Sequence, residues 1–203
     1  MSRTVTYYVF LNSPWCFMGA GRLAEIARTA GATVDVRPIN LGRVFQETGG
    51  KPLAQRPQAR QDYRLYELAR WRRWYGLDMV EHPDVFPCDE GLAATCVLAV
   101  KAAGGDALAL ATGFGAALWL DNRDIGRRPI IEGVLKAQGL DAAAVLAEAE
   151  GQADRWATEL QANTDAARAA GCFGVPWYVV DGEPFWGQDR LDFVAEALTR
   201  PTA

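Results

Sequence analysis

In the octet NSPWCFMG, residues 12–19, a hydroxyl at Ser13 and a thiol at Cys16 are separated by Pro14 and Trp15. The run before it, VTYYVFL, is aromatic and β-branched; the run after it, GRLAEIARTAGA, spaces Leu23, Ile26 and Ala27 as a helix does. The octet is therefore a strand-to-helix corner, where the N–H groups of a first helical turn point outward, unpaired and electropositive. Two readings stand for Ser13: a cap for a helix that starts at Pro14, or a catalytic hydroxyl. Cys16 is either a small buried hydrophobe or a redox thiol.

A second candidate lies near the other end of the chain. In GVPWYVV, Pro176 directly precedes a strand-like run, although a central strand avoids proline because it donates no ladder hydrogen bond. A cis Val175–Pro176 bond turns the Val175 backbone outward as a hydrogen-bonding edge; an ordinary trans turn proline is the alternative. Arg60, Arg64, Glu67 and Arg70 share one helical face, read as a solvated, ion-paired face on which Arg60 alone is kept as a site candidate. His82 has no partner signature and reads as a loop residue. Trp71, Trp74, Trp119, Trp156 and Trp186 read as packing residues, with one near a cleft able to stack on a bicyclic ligand.

The elements that must hold these groups fall into three blocks. Residues 1–50 read as strand, corner, helix with Gly31 as its stop, and a second strand over TVDVRPINL: a βαβ unit. Residues 171–203 read as two short strands joined through Asp181-Gly182, followed by a helix from Gln188 to Thr199. Residues 51–170 carry helical signals, with a break or bend near Gly151. The order βαβ, helical block, ββα predicts an α/β thioredoxin-like fold split by a helical insertion domain, in which the corner after the first strand faces the loop before the third.

Composition narrows the function. The chain has 203 residues, 50% hydrophobic and 23% charged, enough for a substantial core. With 21 basic against 25 acidic residues the formal charge is −4, and no basic block offers a footprint for nucleic acid. No stretch reaches the roughly 18 apolar residues of a membrane span, and the N-terminal run meets polar Asn12 and Ser13 too early for a signal peptide; a cytoplasmic protein is expected. Cys16, Cys88, Cys96 and Cys172 form no C-x-x-C pair and have only His82 to join them, so no metal site is expected.

NSPWCFMG, FGVPWYVVDGEPFWGQDRLDFV and the intervening RPINLGRVF, GGKP and DYRLYELARWRRWYG together resemble the 2-hydroxychromene-2-carboxylate isomerase family, within the DsbA-like and kappa-class glutathione transferase group. The resemblance covers essentially the whole chain. It implies a homodimeric, glutathione-dependent isomerase of aromatic compound catabolism, acting on a small aromatic carboxylate through reversible thiolate addition and ring opening. Ser13 matches the position beside the glutathione sulfur, where thiol oxidoreductases carry their first cysteine. Val175, before Pro176, matches the position whose backbone pairs with the cysteinyl part of glutathione. Gln188 and Asp189 match the pair that holds the γ-glutamyl end, and Lys51 and Arg60 are the positions from which a base approaches the substrate carboxylate. SPWC also looks like the oxidoreductase motif Cys-Pro-Trp-Cys with its attacking cysteine replaced; a serine cannot perform disulfide exchange. The alternatives are a kappa-like glutathione transferase, an atypical DsbA-like thiol oxidoreductase, and a non-catalytic thioredoxin-like peptide-binding protein.

Overall fold

The computed structural model describes residues 2–200. β1 (Thr4–Val9) buries Val5, Tyr7 and Val9 on one face and Tyr8 on the other, whose outer end, Thr4, is exposed. Ser13 then caps α1 (Pro14–Ala30): its Oγ accepts from the Cys16 N–H at 3.2 Å, and Pro14 occupies the first turn, where its missing N–H costs nothing. Met18, Ala20, Leu23 and Ala27 form the buried stripe of α1. Gly31, at φ 61°, ends the helix with its N–H turned back toward Ala27 and Arg28, a left-handed geometry that glycine adopts at no steric cost.

The predicted second strand is shorter than its apolar pattern. β2 (Thr33–Pro38) stops at the proline, and Asn40 caps α2 (Leu41–Thr48) by accepting from the Arg43 N–H at 3.1 Å. Helices α3 (Gln58–Tyr75), α4 (Gly91–Ala102), α5 (Ala107–Trp119), α6 (Arg128–Ala137), α7 (Ala142–Gly151) and α8 (Ala153–Ala169) follow, with the expected break falling between α7 and α8. The chain then returns to the sheet as β3 (Trp177–Val180) and β4 (Glu183–Trp186). Asp181 and Gly182, at φ 49° and 85°, make the two-residue turn between them. A 3₁₀ turn at Gln188–Arg190 takes the place of the expected first helical turn, and α9 (Leu191–Thr199) closes the fold.

The sheet order is β2-β1-β3-β4, with β1 parallel to β2 and antiparallel to β3, and β4 antiparallel to β3. This is a thioredoxin-like core interrupted by the helices α3–α8. Tyr7 of β1 and Tyr178 of β3 stack across the middle of the sheet at 5.2 Å between ring centroids. Most buried side chains of the sheet and of the inserted helices form one cluster, with Leu98, Ala99 and Trp156 making a second, smaller one between α4 and α8. Trp119 and Trp156 are buried within the insertion, as packing residues should be, but Trp74 on α3 is 79% exposed. No helix among the described residues is long and apolar enough to cross a membrane.

Candidate active site

An open cleft of about 590 Å³ lies between the corner at the end of β1, the loop before β3, and the segment running from α2 into α3. Ser13, Val175, Lys51 and Arg60 all line it, so residues more than 160 positions apart in sequence meet on one surface.

Ser13 is 7% exposed, and its two functions are chemically separable. A lone pair of Oγ accepts from the Cys16 N–H, which satisfies the cap, while the hydroxyl proton has no acceptor among the described residues. Pro14 has no N–H, Cys16 donates to Oγ, and Phe17 donates to the Ser13 carbonyl at 3.1 Å. The Trp15 N–H is thus the donor of the first turn left without an intrahelical acceptor, and Trp15 lines the cleft.

Opposite this corner, the Val175–Pro176 bond is cis. Neither the N–H nor the carbonyl of Val175 has a hydrogen-bond partner among the described residues. The Pro176 carbonyl is used internally, accepting from the Gly187 N–H at 3.0 Å. Phe173 and Trp186, 4.6 Å apart edge to face, form the apolar end of the cleft beside Val175. The tryptophans of the lining are therefore Trp15 and Trp186.

Gln188 and Asp189 are arranged differently from Ser13 and Val175. The Gln188 side chain is 3% exposed and turned away from the cleft lining: its Oε1 accepts from the Tyr75 hydroxyl of α3 at 2.5 Å. Gly19 makes room for it, since a Cβ at residue 19 would lie 2.9 Å from Gln188 Cβ. Asp189 is exposed, 3.5 Å from Arg190, and its carboxylate curls over Gly187, where a Cβ would collide with it. Through Gly187 it stands one hydrogen bond from Pro176, outside the cleft lining proper.

Three features escaped the sequence reading. Arg64, assigned there to a solvated face, is half-buried and lines the cleft, with its guanidinium carbon 5.3 Å from the Phe86 ring and 5.7 Å from that of Trp119. Arg56 joins it, its Nε donating to the Lys51 carbonyl at 2.9 Å. Finally, the fully buried Asn12 ties the corner to the segment before α4. Its Nδ2 donates to Glu90 Oε2 at 2.7 Å, its backbone N–H donates to the same oxygen at 2.8 Å, and its Oδ1 accepts from the Cys88 N–H at 2.8 Å. Spacing reveals none of these, because each depends on which element crosses which.

The electrostatics separate the thiols from the cleft. Burial pushes Cys16 up to about 11, so its thiol stays protonated at neutral pH. Burial likewise raises Cys88 and Cys172 to about 11 and Cys96 to about 12. All four cysteines are expected to react slowly with a thiol-specific chromogenic disulfide at pH 8 in the native protein and readily once the chain is denatured. Rapid native labelling of Cys16 would restore the redox reading of the corner.

These features define a DsbA-like thioredoxin scaffold with a serine, Ser13, at the N-cap of its first helix. The family model for the DSBA-like thioredoxin domain matches residues 4–199, and the chain belongs to that family. Homology and structure point further, to the 2-hydroxychromene-2-carboxylate isomerases. The chain is 28% identical over 203 residues to such an isomerase of Sphingobium xenophagum, covering 98% of this chain and 99% of that protein. It is 28% identical over 201 residues to one of Pseudomonas putida, covering 97% and 94%. A solved 2-hydroxychromene-2-carboxylate isomerase structure superposes with a TM-score of 0.80 at 24% identity over 96% of this chain and 94% of that one, which speaks to the shared fold.

Proposed function

We propose that the protein is a glutathione-dependent isomerase acting on 2-hydroxychromene-2-carboxylate or a related intermediate of aromatic degradation. The observation that carries the reading is the pairing, across one cleft, of a serine hydroxyl with a free proton and a backbone edge with no partner. These are the groups that a cysteinyl peptide bearing a thiolate requires, and the names of the relatives supply the reaction class.

Glutathione, when bound, supplies a thiolate that adds reversibly to the unsaturated acid, allowing ring opening, bond rotation and release. The chain's own part is to hold that charge and orient both molecules. Ser13 Oγ and the Trp15 N–H donate toward the sulfur and keep it ionised near neutral pH. The Val175 N–H and carbonyl clamp the cysteinyl unit in the manner of an added strand. Asp189 accepts from the γ-glutamyl amine. Gln188, bonded to Tyr75, acts by locking the 3₁₀ turn against α3 and so setting where Asp189 stands. Phe173 and Trp186 offer ring faces to a bicyclic substrate, and the cationic wall receives its carboxylate.

The deciding experiment is isomerisation of hydroxychromene carboxylate by the purified protein with and without glutathione. Turnover only with the thiol supports the reading, and absence of turnover in its presence overturns it. Asp189→Ala is expected to weaken glutathione binding about tenfold by calorimetry, the loss of one charge-assisted hydrogen bond at a partly solvated site. Unchanged affinity removes Asp189 from the site. A thiol oxidoreductase reading lacks support from Cys16, which is 3% exposed and held protonated.

A further inference from the structure

The cleft contains an electrostatic imbalance. Lys51, Arg56, Arg60 and Arg64 line it, and no aspartate or glutamate does. The four cations are not equivalent. Lys51 and Arg60 are exposed, so water already solvates their charge and an incoming anion gains little from them. Arg64 is different in three respects. It is half-buried, it lies against the rings of Phe86 and the fully buried Trp119, and no carboxylate or hydrogen-bond acceptor among the described residues is paired with it.

An arginine removed from water without a counter-charge is costly, and folded chains ordinarily pair such a group. Elsewhere in this protein arginines do find carboxylates: Arg72 with Glu81 at 3.1 Å, Arg37 with Asp35 at 2.7 Å, Arg200 with Glu183 at 2.7 Å. Burial, then the neighbouring charge of Arg56, holds the Arg64 guanidinium down to about 10, still protonated at neutral pH. A desolvated cation of this kind binds an anion more strongly than an exposed one, since less hydration is lost when the pair forms. Two aromatic rings within 6 Å of its guanidinium carbon favour the cation, and the planar fork of donors suits two-point binding of a planar carboxylate in a way a lysine ammonium does not.

We propose that Arg64, seconded by Arg56, is the anchor for the substrate carboxylate and sets the preference of the cleft for planar aromatic acids over their neutral counterparts. The assignment rests on the isomerase reading for the identity of the acid, though not for the existence of the anion site. It also demotes Arg60 and Lys51 to the rim of the cleft, where they attract the anion without orienting it.

The test uses the full chain and two probes: chromene-2-carboxylate, which lacks the hydroxyl needed for ring opening, and the matching carboxamide. Calorimetry on the wild-type protein should show the carboxylate bound at least about tenfold more tightly than the amide. R64M should bring that ratio to within about twofold while leaving amide and glutathione affinities unchanged, and R60M should retain most of the ratio. A wild-type ratio near one, or a ratio preserved in R64M, overturns the proposal. Should R64M fail to give the native circular dichroism spectrum, R64Q is measured with the same probes and read in the same way. Absence of glutathione-dependent turnover alongside an intact, Arg64-dependent ratio overturns the isomerase reading and supports the anion site. Turnover alongside an Arg64-independent ratio does the reverse.

Discussion

Replacing Ser13 by alanine is expected to lower glutathione-dependent turnover by about 10²–10³, the scale of losing one oriented donor to an anion in a water-poor site, roughly 2.7 to 4 kcal/mol. The size follows from the geometry of the corner. The Ser13 hydroxyl is nearly inaccessible to bulk water, and its proton is uncommitted because the cap uses only a lone pair. Alanine removes both functions, and the two losses are measurable separately. The cap is worth about 1 kcal/mol, to be seen as a lower midpoint in denaturant. The thiolate donor is to be seen as a raised pKa of bound glutathione, followed by the ultraviolet absorbance of its thiolate against pH. Glutathione affinity itself should change much less at low pH, where the bound thiol is neutral and the Val175 edge and Asp189 still hold the peptide. Turnover within a few-fold of wild type in S13A, with the pKa of the bound thiol unmoved, would reduce Ser13 to a helix cap. Cys16→Ser should leave turnover largely intact, because the proposed reaction needs no second thiol.

The second large effect concerns Glu90, the residue just before α4, whose carboxylate receives both the backbone N–H and the side-chain amide of Asn12. Burial pushes Glu90 up to about 7, outweighing the hydrogen bonds from Asn12 that favour the charged form, with Asp89 beside it adding to the rise. The unfolded chain would titrate the same group near its ordinary value, about 4.3. Since the folded value is the higher one, the stabilisation is fully present below the unfolded pKa and is lost as pH rises through about 7. Over that window the wild-type protein should lose up to roughly 4 kcal/mol of unfolding free energy from this one group. Glu90→Gln cannot ionise and still presents an oxygen to Asn12, so its stability should stay nearly level from pH 5 to about 8. Urea titrations of both proteins across that range provide the check; parallel profiles would show that Glu90 titrates normally. Asn12 immediately precedes Ser13, so the same titration is expected to loosen the corner, with turnover in the wild type alone declining on the alkaline side as stability falls.

What the sequence determined by itself is local or periodic. Ser13-Pro14 starts α1 because a side-chain acceptor and a missing N–H suit a helix N-terminus wherever they occur. Gly31 ends α1, and Asp181-Gly182 turns β3 into β4, because these positions require positive φ. Apolar spacing marked the insertion as helical, though not its α6, and the order of the blocks implied the thioredoxin-like core that is observed. Even the meeting of Ser13 with Val175 was legible, since a split sheet brings the end of β1 to the start of β3.

Only the tertiary structure decided which of several equivalent side chains at the cleft is withdrawn from water. Arg60 and Arg64 lie one turn apart on the same helix, and periodicity cannot rank them. Phe86 and Trp119, from outside α3, cover Arg64 and leave Arg60 in water. Gln188 borders Asp189 in sequence, yet Tyr75, 113 residues away, draws its amide oxygen inward and leaves Asp189 at the surface. Glu90 and Asn12 are 78 positions apart and carry no shared motif. A hydrogen bond or a stacked cation is set by distances of a few ångströms between elements. Spacing along the chain reports the face a side chain occupies, and the packing of distant elements determines whether that face meets water, an aromatic ring or a carboxylate.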